Sequence, residues 1–149
     1  MKVAVIITDS EELNESFYKY LKHLIDVDCL LFTYDSSELL SRDIINQADV
    51  IIIELMRTYN ERSLRAEGIL VGEILAKMGK KVLIISSDLL CDKLKSPVYW
   101  DFTCNESLGI KIKNLMEMSI DRFNQIFAET NTYLKKNFKH YLHSPTHHH

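Results

Sequence analysis

Four short, unbroken apolar runs decide what this chain can fold into: Val3 to Thr8, Val27 to Thr33, Val50 to Leu55 and Val82 to Ser86. Each is rich in Val, Ile or Leu, and its apolar residues fall mostly on consecutive rather than alternate positions. Strands of this kind are covered on both faces, which is the condition of a parallel sheet held between two layers of helix. Helical spacing separates the runs, as in Leu13, Phe17, Leu21, Leu24 and Ile25, in Leu39, Leu40, Ile44 and Ile45, and from Leu64 through Met78. The order predicted is β-α-β-α-β-α-β.

Local chemistry marks several boundaries independently of hydrophobic period. Asp9 and Ser10 precede Glu11 and Glu12, and Asp35, Ser36 and Ser37 precede Glu38, so side chains that cap a helix stand next to acids that oppose its positive end. The third helix is predicted to stop at Met78-Gly79-Lys80-Lys81, with glycine in the left-handed position past the last turn and lysines complementing the dipole. Within it Gly68, Gly72 and Ala76 make a stripe of small residues. Glycine costs about 1 kcal/mol in a helix relative to alanine, so the stripe implies either close approach to the sheet or a ligand passing over the first turn.

Beyond Asp88 the pattern changes. Val98, Trp100 and Phe102 alternate with Tyr99, Asp101 and Thr103, which predicts a short fifth strand of period two with Pro97 at its edge. From Glu106 to Leu142 a three-four apolar spacing runs through Leu108, Ile112, Leu115, Ser119, Phe123, Ile126, Thr130, Leu134, Phe138 and Tyr141 without a proline. It predicts one long helix, with a break between Glu129 and Thr132 as the alternative. The expected fold is therefore a three-layer α/β sandwich: a five-stranded, mostly parallel sheet of flavodoxin- or Rossmann-like order 2-1-3-4-5, with a long C-terminal helix. The expected division is an α/β nucleotide-binding-like domain over 1–104, a C-terminal helix over 105–142 packing on it or on a partner, and a tail over 143–149 that reads as a tag remnant.

A straight helix over 106–142 would be about 55 Å long, against a domain diameter of roughly 30–35 Å. An overhang of that size, carrying Phe123, Phe127 and Leu134, predicts a homodimer paired through this helix.

Composition narrows the function. A formal net charge of -3 argues against a nucleic-acid footprint, which draws on positive excess. Cys29, Cys91 and Cys104 are odd in number and show no Cys-x-x-Cys spacing, so they are expected to be reduced thiols in a cytoplasmic protein. The first apolar run is too short for an export signal or a membrane span. No GxGxxG, GxxxxGK[ST] or GxSxG motif occurs, and no His/Cys set has metal-ligand spacing, so no cofactor and no metal are expected.

In a sheet of this order ligands bind outside the carboxyl ends of the strands, where the winding reverses. That rule nominates the loops at Asp9 to Glu12, Glu54 to Glu67 and Ser86 to Asp92. Arg57, Arg62 and Arg65 stand at or just before a helix N-terminus, where amides and dipole favour a phosphate or carboxylate; ion pairs with Glu54, Glu61 and Glu67 are the structural alternative. Glu54 ends an apolar strand, and partial desolvation there would raise its pKa, a property useful to a general acid or nucleophile. The candidate catalytic residues are Glu67, Glu54 and Glu73, and the candidate substrate-binding residues are Asp9, Ser10, Arg57, Tyr59, Arg62, Arg65, Ser87 and Asp88.

The segment Gln47-Ala-Asp-Val-Ile-Ile-Ile-Glu-Leu, followed by a polar loop and then Glu67-Gly-Ile-Leu-Val-Gly-Glu-Ile-Leu-Ala-Lys-Met-Gly-Lys-Lys-Val-Leu-Ile-Ile, resembles the nucleoside 2-deoxyribosyltransferase-like group over residues 47–87. The resemblance implies a small-molecule nucleoside or nucleotide as ligand, and cleavage or transfer at the N-glycosidic bond with a helix glutamate acting at the anomeric carbon. Counted back from Gly79-Lys80, the family's glutamate position holds Val71, with Glu67 and Glu73 on either side, and the family's Asp-x-Gly-[Thr/Ser] loop is absent. A different class shares the strand order. Asp9, Glu54 and Ser86 resemble the metal-binding, phosphoacceptor and hydroxyl positions of receiver domains. On that resemblance the chain is a degenerate receiver-like signalling or protein-interaction module without catalysis.

Overall fold

The computed structural model describes residues 2–6, 19, 28–32, 46–55, 61–86, 94–101 and 104–137, with backbone alone at 2–6, 28–32, 54–55, 61–68, 86 and 137. Five strands are present in that set: β1 (Lys2–Ile6), β2 (Asp28–Phe32), β3 (Val50–Leu55), β4 (Lys81–Ser86) and β5 (Tyr99–Trp100). All pair in parallel, in the order β2-β1-β3-β4-β5. Helix α1 (Glu61–Lys77) joins β3 to β4, and α2 (Leu108–Glu117) and α3 (Ile120–Asn137) follow β5.

The pairing register assigns faces to residues. Ile51 pairs with Val82 and Ile53 with Ile84, while Ile52 pairs with Leu83 and Glu54 with Ile85. Side chains alternate along a strand. A Cβ added at Gly72 of α1 would lie 3.5 Å from Ile53 and 4.0 Å from Val82, so α1 covers the first of these faces. Lys81 points to the second, and its ammonium donates to the carbonyl oxygens of Met116 (2.9 Å) and Met118, so α2 covers that face and Lys81 caps its C-terminus. Helix α3 packs on α1 and β4. Val50 to Ile53 and Val82 to Ile85 are accordingly buried on both sides.

Several expectations are corrected. The fifth strand has only two described residues, and Val98, Tyr99, Trp100 and Asp101 are all buried, so it is covered on both faces rather than alternating in and out. The long helix is divided at Met118-Ser119, not near 129–132. Ser107 caps α2 by accepting from the amide of Ile110 at 3.1 Å, and the Ser119 side chain accepts from the amide of Arg122 at 3.2 Å at the start of α3. Each helix is now short enough to fit the domain. Phe123, Phe127 and Leu134, expected as a dimer surface, are at most 3% exposed inside the same chain, with the two phenyl rings stacked 5.3 Å apart. The pairing surface anticipated on them is already covered, and both helices belong to the one core. Cys104, expected as a free thiol, is disulfide-bonded. Among the described residues no helix is long and apolar enough to cross a membrane.

The small-residue stripe is explained at Gly72. The added Cβ would also lie 3.3 Å from Cζ of Phe127, so the glycine lets helix, sheet and α3 meet. Gly79 has φ of +84° and ends α1 as expected.

Candidate functional site

Two regions concern function. The first is the carboxyl end of the sheet. Glu54 and Leu55 close β3 opposite Ile85 and Ser86 of β4, and α1 starts at Glu61 on that side. Arg62 lies in the first turn of α1, and Arg65 and Glu67 in the second. For Glu54, Arg62, Arg65 and Glu67 the backbone position is what the structure supplies. Asp9, Ser10, Arg57, Tyr59, Ser87 and Asp88 lie outside the described residues.

Glu73 does not share that region. It stands 12 residues after Glu61 on a helix that runs away from the carboxyl ends, so it is about 18 Å further along the axis at 1.5 Å per residue. Its carboxylate lies 2.5 Å from the ammonium of Lys135 on α3. Of the candidate catalytic carboxylates, Glu73 is thereby placed away from the strand ends: it stands about 9 Å beyond Glu67 along α1 and pairs with α3.

The second region is where Glu73 does lie, a groove of about 490 Å³ along the seam of α1 and α3. Small residues create it. Ala76 and Gly79 on one side and Ala128 on the other leave the seam unfilled, while Phe127 closes its inner wall. Glu73, Lys77, Asn124, Asn131, Thr132 and Lys135 supply polar groups around it. Asn131 is 4% exposed, and neither its side-chain nitrogen nor its oxygen has a hydrogen-bond partner. Oε1 of Glu73 is also closed to water, and its partner there is the ammonium of Lys135. A buried amide unmatched at both ends is unusual, because buried polar groups are nearly always paired.

The helical period locates Asn131 on the buried face of α3, four residues after Phe127 and three before Leu134, but it does not show that a groove lies beside it. The signal that was available is the residue type: an asparagine at a core position of an amphipathic helix needs a partner. Among the described residues no group of three His, Cys, Asp or Glu is placed to hold a metal ion.

No protein-family model matches the chain, and no curated protein matches it. Among solved structures it is similar to the crystal structure of oxidised flavodoxin 1 from Bacillus cereus, at 14% identity over 87% of this chain and 98% of that one, with a TM-score of 0.34. A likeness that low adds nothing to the reading of either region.

Proposed function

We propose that the chain is a nucleoside- or nucleotide-binding α/β domain whose ligand lies over the carboxyl ends of β1, β3 and β4. One observation carries the reading. β3 lies between β1 and β4 and ends in Glu54-Leu55, and α1 begins a few residues later with Arg62 and Arg65 in its opening turns. A helix N-terminus offers unpaired amides and the positive end of a dipole, and arginines there suit a phosphate or a carboxylate. The resemblance over 47–87 supports a nucleoside as the rest of the ligand. On that basis the chemistry is cleavage or transfer at the N-glycosidic bond, with Glu67 or Glu54 as the carboxylate that acts at the anomeric carbon.

Thermal unfolding against a panel of nucleosides and nucleoside monophosphates tests the binding. A ligand at 100 times its dissociation constant adds about 2.7 kcal/mol of stability. If an anion is held as proposed, Arg62→Ala or Arg65→Ala weakens nucleotide binding by roughly 1.5–3 kcal/mol with a smaller effect on folding. No shift with any member of the panel would overturn the reading and favour a protein-interaction module. Release of free base from a bound nucleoside tests the chemistry, and release that survives in both Glu67→Gln and Glu54→Gln would remove these residues from it.

A further inference from the structure

We infer that Cys104 is bonded to Cys91, and that this bond is a reducible clamp on the edge strand β5. Cys104 is disulfide-bonded, and the chain holds two other cysteines, Cys29 and Cys91. The sheet decides between them. Cys29 lies on β2 and Cys104 just after β5, at the two opposite edges of the order β2-β1-β3-β4-β5. Four strand spacings of roughly 4.8 Å put those edges about 19 Å apart. The two residues also differ in height along the strands. Cys29 is level with Val3, Val50 and Lys81, whereas Trp100 is level with Ile85, further along β4. Cys104 lies beyond Trp100: its amide donates to the carbonyl of Asp101 at 3.1 Å, and its sulfur accepts from the amide of Asp101 at 3.2 Å. A disulfide spans at most about 7 Å between Cα atoms, so Cys29 is out of reach. Cys91 lies outside the described residues, but the chain tethers it near Cys104, five positions after Ser86, the last residue of the strand beside β5, and three before Leu94.

The bond closes a ring from 91 to 104 that contains Ser96 and the whole of β5. That strand has two described residues and pairs with β4 on one side, so its ladder alone holds it weakly, and a covalent tie across its two ends fixes it to the sheet. Cys104 is partly exposed, within reach of a small thiol. On reduction, a thiolate of a dithiol attacks Sγ of Cys91, the S–S bond breaks, and its electron pair leaves on Sγ of Cys104, where the Asp101 amide stabilises it. The second thiol of the reductant then displaces Cys91 from the mixed disulfide. Two protons pass to the protein sulfurs, and the dithiol departs as its cyclic disulfide.

Peptide mapping of the full chain, equilibrated with mixtures of oxidised and reduced glutathione and digested without reductant, tests the pairing. It is expected to give one cross-linked pair of peptides carrying Cys91 and Cys104, and one alkylatable thiol, at Cys29. Dithiothreitol is expected to lower Tm by about 5–10 °C and to deprotect the amides of Ile84 and Tyr99, while those of β3 keep their protection. Cys91→Ala is expected to match the reduced protein and to show no further response to dithiothreitol, whereas Cys29→Ala keeps the response. A bond from Cys104 to Cys29, or no bond at Cys104 at any glutathione ratio, would overturn the pairing. Tm and exchange left unmoved by reduction would overturn the clamp. Both readouts are made without nucleotide, so they stand whether or not a ligand binds over the strand ends.

Discussion

Asn131 shows how a single residue can be at odds with its surroundings. Its neighbours on α3 are core residues, and it is as buried as they are, yet neither end of its amide is matched. Leaving a buried donor or acceptor unpaired costs about 1–3 kcal/mol, and an apolar side chain of the same shape avoids that cost. Asn131→Leu is therefore expected to stabilise the free protein by about 1–3 kcal/mol, read as a higher urea midpoint at unchanged slope. A destabilised variant would mean that the amide is satisfied in solution. Lys111 is a second residue in tension with its site. Its ammonium donates to the carbonyl of Ser96 at 2.6 Å and lies 3.8 Å from Glu106, and burial holds its pKa below the ordinary lysine value although Glu106 pulls the other way. Below the lowered pKa both folded and unfolded chains are protonated, and the folded one bears the full desolvation penalty. Between that pKa and the ordinary value the unfolded chain holds more protons, so stability rises with pH. Urea unfolding across the alkaline range should show this rise in the wild type and lose it in Lys111→Met; parallel curves would assign the rise to other groups.

At the level of elements, the helix α1 illustrates why glycine is kept in a helix interior. The Cβ added at Gly72 already comes within 3.3 Å of the buried ring of Phe127. The two methyl groups that valine carries beyond Cβ have no room between Phe127, Ile53 and Val82, so Gly72→Val is expected to cost about 1–3 kcal/mol from overpacking, well beyond any change in helix propensity. Chemical denaturation measures it, and a neutral result would mean that α3 can shift outward. Most of the parallel α/β class was legible because buried strands need unbroken apolar runs: Val50 to Leu55 and the stretch ending at Ser86 lie where the sequence pattern puts them. The break between α2 and α3 was not, since Leu115, Ser119 and Phe123 keep a four-residue spacing straight across it. Periodicity is blind to a cap that falls in phase, and Ser119 reads equally well as a helix position and as the residue that starts a new one. The lysines after Gly79 were misassigned for a related reason. Lys80 donates to the carbonyl oxygens of Asn46 and Ala48, and Lys81 to those at the end of α2, so they serve chain ends far away in sequence rather than the dipole of their own helix. The candidate site was legible as a set of loops but not as a partition. The six-residue spacing already puts Glu67 and Glu73 on different faces of α1; what it does not contain is that α3 lies against the second of them and pairs Lys135 with it.

For the molecule as a whole, the question is how two helices on opposite faces are held to the short edge strand between them. Ser96, just before β5, answers it. Its carbonyl accepts from Lys111 of α2, and its hydroxyl lies 2.6 Å from that of Thr130 on α3, while also accepting from the amide of Val98 at 3.2 Å. The same carbonyl accepts from the amide of Tyr99 at 3.2 Å, and the carbonyl of Val98 accepts from the amide of Ile84, so the knot is continuous with the β4–β5 pairing. One buried residue thus joins both helical layers to the sheet edge, and loosening it from either side should be felt on the other. Thr130→Val removes one arm and Lys111→Met the second. Each is expected to cost about 1–2 kcal/mol, the scale of a buried hydrogen bond lost with its partner left behind. Because both arms act through Ser96, the double variant should depart from additivity by more than about 0.5 kcal/mol, the margin within which independent sites add. Amide exchange supplies the structural counterpart: the amides of Ile84 and Tyr99 should lose protection in each single variant, while those of β3 keep theirs. Strict additivity together with unchanged exchange at Ile84 and Tyr99 would mean that α2 and α3 hold the sheet independently, and that Ser96 is merely where both happen to touch it.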